Sequence, residues 1–101
     1  MSMDISLIKH GKFAELKLDG YRDATNAAEV EQVLVDVAGR FDSLTLDMEK
    51  LEYVSSAGLR AFKRLFMELR RKGGTLYAKN VDKAVLEVFE VTGFTRLFKF
   101  I

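Results

Sequence analysis

The chain has 101 residues, a length expected to form one domain (1–101) with a modest core, and 49% hydrophobic with 31% charged residues is ordinary globular composition. A net charge of +1 gives no electrostatic footprint for nucleic acid, while zero cysteines and a single histidine, His10, exclude disulfides, thiolate catalysis and cysteine or multi-histidine metal sites. No basic-then-apolar leader and no apolar run near the ~20 residues of a membrane span are present, so a cytoplasmic protein without direct membrane insertion is expected.

The N-terminal third reads as a hairpin followed by a helix. Asp4–Lys9 and Lys12–Leu18 are predicted strands; in the second, Ala14, Leu16 and Leu18 alternate with Phe13, Glu15 and Lys17. His10-Gly11 is placed in the turn between them, with glycine supplying a positive φ. Asp23-Ala24-Thr25-Asn26 offers N-caps for a helix whose apolar positions are Ala27, Val30, Val33, Leu34, Val37 and Phe41, and Gly39 is a plausible stop.

Alternation returns at Ser43–Met48, a strand with Leu44, Leu46 and Met48 on one side. Leu51, Tyr53 and Val54 lead to Ser55-Ser56. From Leu59 the apolar residues Leu59, Phe62, Leu65, Phe66 and Leu69 form a helical stripe, with Arg60, Lys63, Arg64, Glu68 and Arg71 opposite. Lys72-Gly73-Gly74 signals the stop. Thr75–Lys79 is a short strand, Asp82 the N-cap of a third helix with Val85, Val88 and Phe89 inward, Thr92-Gly93-Phe94 its break, and Leu97–Ile101 a terminal strand or apolar tail packed on the sheet.

The order β-β-α-β-α-β-α, with a possible final β, predicts an α/β fold whose sheet is mixed but largely parallel after the initial hairpin. Because the strands alternate rather than being apolar throughout, one face of the sheet is expected to carry the helices and the other to be only partly covered.

Ser55-Ser56 is the most informative pair of residues. Two hydroxyls at a strand-to-helix junction stand at a helix mouth, where free N–H groups and the helix dipole favour an anion. Either one caps the helix, or one accepts a phosphate; Gly58 and Leu59 occupy the positions where a capping box needs Glu or Gln. Asp23 and Asp47 either flank this pair or bond their own neighbouring backbone. The basic face of the helix, Arg60, Lys63, Arg64 and Arg71 with Met67 on or beside it, is either solvated or a partner surface, and an adaptable methionine favours the second.

Val54-Ser55-Ser56-Ala57-Gly58-Leu59-Arg60 resembles the signature of STAS domains, the family of anti-sigma factor antagonists that also includes the cytosolic tails of sulfate transporters. Gly20-Tyr21-Arg22-Asp23-Ala24, Leu44-Thr45-Leu46-Asp47, Gly73-Gly74-Thr75-Leu76 and Val88-Phe89-Glu90-Val91-Thr92-Gly93-Phe94 resemble further family segments in the family's order, so the resemblance covers nearly the whole chain. It implies a small four- to five-stranded STAS-like fold with helices mainly on one face. It also implies a bacterial phosphoprotein that regulates transcription by partner switching. The unphosphorylated form binds an anti-sigma factor that is also a serine kinase, phosphorylation releases it, and a metal-dependent serine phosphatase restores binding. The matching phosphoacceptor is Ser56. Ser55 stands where sporulation-type members often have aspartate and is the alternative acceptor. The expected partner-binding set, from the motifs and the helix face together, is Asp23, Asp47, Ser55, Ser56, Gly58, Arg60, Lys63, Arg64 and Met67.

Within the same family the alternative role is a non-phosphorylated scaffold, or a subunit of a lipid-transport or stress-signalling complex. An enzyme is not expected: Gly-x-Ser-x-Gly and the phosphate-loop pattern are absent, His10 lies in a distant turn, and no cofactor or metal is called for. A monomer or weak dimer is expected.

Overall fold

Alternating apolar residues build a sheet only when one face is buried, and the burial follows that alternation. The computed structural model describes residues 4–19, 27–51 and 53–101. Its elements are β1 (Asp4–His10), β2 (Phe13–Asp19), α1 (Ala27–Ala38), β3 (Ser43–Lys50), α2 (Ser56–Arg71), β4 (Leu76–Lys79), α3 (Lys83–Thr92), a 3-10 turn (Phe94–Arg96) and β5 (Lys99–Phe100).

The five strands lie in sequence order, β1-β2-β3-β4-β5, with β1 antiparallel to β2 and every later pair parallel. Each crossover therefore advances one strand in the same direction, and right-handed connections place α1, α2 and α3 on the same face. Register aligns Leu16 of β2 with Leu46 of β3 and Leu46 with Ala78 of β4, a row of side chains buried beneath the helices. Leu34 and Val37 of α1, Phe62, Leu65 and Leu69 of α2, and Val85 and Phe89 of α3 complete the core. The rings of Phe62, Phe89 and Phe98 meet in it, with Phe89 and Phe98 at 4.9 Å. Phe98 anchors the C-terminal segment, and Ile101 N–H donates to the Ala78 carbonyl at 2.9 Å, so the tail is a strand.

The other sheet face carries Ile8, Phe13, Glu15, Thr45 and Tyr77, and Phe13 is 56% exposed. Partial cover of this face is the expected consequence of strands that alternate.

Several boundaries move. His10 pairs with Phe13, so the hairpin turn is Gly11-Lys12 rather than His10-Gly11, and Gly11 at φ 66 takes the first central position, as in a type II′ turn. The α2 helix starts at Ser56, a turn before its apolar stripe begins. Val33, grouped with the inward residues of α1, is 44% exposed: it lies at the edge of the stripe set by Leu34, Val37 and Ala38. Asp82 stands at the N-cap of α3 but makes no capping side-chain bond. The cation expected to answer the α2 dipole does more: Lys72 Nζ donates to the carbonyls of Ala38 and Phe41, the latter at 2.7 Å, tying the end of α2 to the α1–β3 turn.

Candidate functional site

Parallel strands deliver every loop that leads into a helix to the same edge of the sheet, and ligand sites in such sheets sit there. The β3–α2 connection therefore emerges beside the C-terminal ends of β2 and β4. Leu51 and Val54 are buried and pin the connection down, while Tyr53 between them is 59% exposed. The chain then turns into α2 at the two serines.

The two hydroxyls have different surroundings. Ser55 is the N-cap, extended at φ −81 and ψ 167, and its Oγ accepts from the Gly58 N–H at 3.1 Å. Its carbonyl accepts the first helical bond, from Leu59 N–H at 2.9 Å. Ser56 is the first helical residue and is exposed. Capping thus falls to Ser55, and Ser56 projects outward beside the free N–H groups of the helix end. Gly58 is buried in the first turn. Ser55→Ala is expected to cost about 0.5–2 kcal/mol, whereas Ser56→Ala is expected to change stability by less than about 0.5 kcal/mol; parallel urea melts of the two variants check the contrast.

Behind Ser56 runs a single exposed stripe. At 100° per residue, Ser56, Arg60, Lys63, Arg64, Met67, Arg70 and Arg71 fall on one side of α2, and each is exposed. Met67 is 58% exposed. Arg64 is held by Glu31 of α1 at 2.9 Å and Arg71 by Glu68, so part of the stripe is tethered. Arg60 and Lys63 make no ion pair among the described residues, and they lie nearest to Ser56.

Asp47 sits on the same sheet edge with its side chain buried at 5% exposure. Its Oδ1 accepts from Glu49 N–H and from Asn80 Nδ2, each at 3.1 Å, which bonds β3 to the end of β4. Burial pushes its pKa up, but the Asn80 amide, the Glu49 N–H and the charges of Lys79 and Lys17 outweigh this and hold it below the ordinary value of 3.8. Asn80 adopts φ 57, a left-handed conformation that asparagine tolerates better than most residues, and sequence patterning alone did not single it out. Lys79 is paired to Glu15 at 2.8 Å, which holds its ammonium above the ordinary value.

A carboxyl with a lowered native pKa stabilises the fold above its unfolded pKa, and that contribution is lost as pH falls through the native value. Asp47→Ala is therefore expected to cost about 1–3 kcal/mol at pH 7, with the difference from the parent shrinking below about pH 4. Urea titrations across pH 3–7, with the two proteins in parallel, measure it. Asp23 lies outside the described residues. The structure thus brings Ser55, Ser56, Gly58, Arg60, Lys63, Arg64 and Met67 onto one helix, whereas Asp47, near the C-terminal end of β3, alternates with Leu46 and Met48 and belongs with Thr45 to the sheet face away from α2.

Known proteins resemble this chain in sequence and in fold. The chain is 34% identical over 91 residues to the putative anti-sigma factor antagonist BtrV of Bordetella bronchiseptica, across 81% of this chain and 78% of the relative. It is 30% identical over 95 residues to the anti-sigma-B factor antagonist of Staphylococcus epidermidis, across 92% of this chain and 87% of the relative. Its fold matches the Bacillus cell fate determinant SpoIIAA in the phosphorylated form with a TM-score of 0.76 and 16% identity, over 97% of this chain and 91% of that one. The unphosphorylated form matches at 0.82 with 16% identity, over 97% and 88%. A family model described as the STAS domain matches residues 4–101, from the first described strand through the last, and it takes in the hairpin, the parallel crossovers and the serine-capped α2. The chain belongs to the STAS domain family, a regulatory rather than an enzymatic one.

Proposed function

We propose that this protein is an anti-sigma factor antagonist that works by partner switching, with Ser56 as the residue that is phosphorylated. Unmodified, it binds an anti-sigma factor that is also a serine kinase; phosphorylated, it lets that partner go, and a metal-dependent serine phosphatase resets it. Relatives at 30% identity and above carry the antagonist name, which supports the class of partner. The observation that carries the choice of residue is the division of labour at the helix mouth: Ser55 holds the cap while Ser56 is exposed.

The physics of a switch follows from that division. A phosphate on Ser56 adds about −1.5 to −2 charges at pH 7. At the positive end of α2 that charge is favourable by roughly 0.3–1 kcal/mol, and Arg60 lies one turn along on the same side to attract it. The fold therefore tolerates the phosphate, and the cap on Ser55 stays in place. What changes is the docking surface around Ser56, Arg60 and Lys63, where a bulky dianion replaces a hydroxyl and neutralises a basic stripe. An acidic surface that met the stripe is repelled.

Affinity capture from the native cell, with the unmodified chain as bait, tests the assignment. Recovery of a sigma-regulating serine kinase, lost when Ser56 carries phosphate, is the expected result. Recovery of a transport ATPase or a stress complex, with no dependence on Ser56, favours the scaffold role and overturns the switch.

A further inference from the structure

At the opposite end of α2 from Ser56 a groove opens between the helix and the start of β5. Its floor is apolar: Phe66 and Leu97 are half-buried and Phe98 is buried at 7% exposure. Its rim is cationic, with Arg70 from α2, Arg96 from the 3-10 turn and Lys99 from β5. Among the described residues no carboxylate lines it, and none of the three cations makes an ion pair. The space is about 330 Å³, wide-mouthed, and near the lower limit of the ~300–1,000 Å³ typical of small-molecule pockets.

We infer that this groove docks an acidic, apolar-bearing segment of a protein partner. Three like charges gathered on separate elements around an apolar floor repel one another in the free protein, and an acidic segment relieves that repulsion. Charges spread over three elements suit a chain carrying several carboxylates better than a single anionic group. The floor takes an apolar side chain from the same segment. The small, open space suits a polypeptide laid across the surface rather than an enclosed ligand.

The groove is also continuous with the basic stripe. Arg70 belongs to both, and at 1.5 Å per residue it stands about 20 Å along α2 from Ser56. An extended partner segment of about six residues spans that distance. The groove thus offers an anchor that a change at Ser56 leaves untouched, and it does not depend on Ser56 being phosphorylated.

The test is an NMR titration of the ¹⁵N-labelled full chain with a capped decapeptide of alternating glutamate and leucine. An all-glutamate peptide, a lysine–leucine peptide and sodium decanoate serve as comparisons. Saturable shifts are expected at the amides of Arg70 and of residues 96–99, with the glutamate–leucine peptide binding most tightly. Affinity is expected to fall at least about tenfold, or 1.4 kcal/mol, in Arg96→Glu/Lys99→Glu and to weaken as salt is raised. Both side chains are exposed, so the variant is expected to fold, which its own amide spectrum verifies; Arg96→Gln/Lys99→Gln replaces it if it does not. Shifts absent from the groove, shifts confined to residues 60–64, or an affinity unchanged in the folded variant overturn the inference. So does decanoate binding the groove when the peptide does not, which assigns it to a small amphipathic anion. None of these outcomes bears on Ser56, so the switch stands or falls separately.

Discussion

Gly74→Ala is expected to lower the melting temperature by roughly 15–30 °C or to prevent folding, an effect in the exceptional class above about 4 kcal/mol. A Cβ on Gly74 would lie 1.7 Å from the Asp42 carbonyl oxygen and 2.9 Å from its carbon, both backbone atoms that no side-chain rotation can move. Nor can the two segments part easily. Asp42 N–H donates to Lys12 at 2.8 Å, Gly74 N–H to Leu69 at 2.9 Å, and Leu44 N–H to Thr75 at 3.2 Å. Thr75 N–H donates to Ser43 Oγ at 3.0 Å, and Lys72 holds the carbonyls of Ala38 and Phe41. Gly73→Ala is the comparison. Gly73 sits at φ 78 with open space where a Cβ would go, so its variant pays only the left-handed backbone cost of roughly 1–2 kcal/mol. Thermal melts followed by circular dichroism separate the two, and a Gly74→Ala protein melting within a few degrees of the parent contradicts this packing.

Ser56→Asp is expected to weaken binding of the anti-sigma factor kinase at least about tenfold, equivalent to 1.4 kcal/mol, while the melting temperature stays within about 4 °C of the parent. The two halves of that result belong together. A carboxylate at the first residue of α2 meets the positive end of the helix dipole, so the fold is unharmed. The same charge sits at the head of the stripe formed by Arg60 and Lys63, so an acidic partner surface is repelled. Ser55→Ala is expected to lower the melting temperature instead, because it removes the Oγ that accepts from the Gly58 N–H, while the Ser56 hydroxyl stays in place. A Ser56→Asp protein that unfolds, or that binds the kinase as well as the parent, removes the basis of the switch. Isothermal titration against the purified kinase, with melts of the same samples, reads both.

Much of this was legible in the sequence because it is encoded locally. Strand alternation at Ala14, Leu16 and Leu18 and at Leu44, Leu46 and Met48 identifies the buried face, and all six are buried. Right-handed crossovers then leave few ways to order the parallel strands. Features that join distant segments were not legible. Gly74 follows Gly73 and reads as part of a helix stop, yet its necessity comes from Asp42, which approaches from the α1–β3 turn. The bond from Asn80 to Asp47 spans 33 residues, and the groove at Arg70, Arg96 and Lys99 draws on three separate elements. Ser56, Ala57 and Gly58 carry no apolar period, yet the two hydroxyls mark the helix mouth, and α2 starts at Ser56. Residue type likewise offered two hydroxyls at the helix mouth, and only backbone geometry assigns the cap to Ser55.

The central claim is that Ser56 carries the regulatory phosphate. Phosphopeptide mass spectrometry of the protein from its native cell, sampled through growth and stress, tests it most directly. The account predicts phosphate on Ser56, with an occupancy that changes between conditions, and none on Ser55. Phosphate on Ser55 instead, or a Ser56 that stays unmodified under every condition, contradicts it.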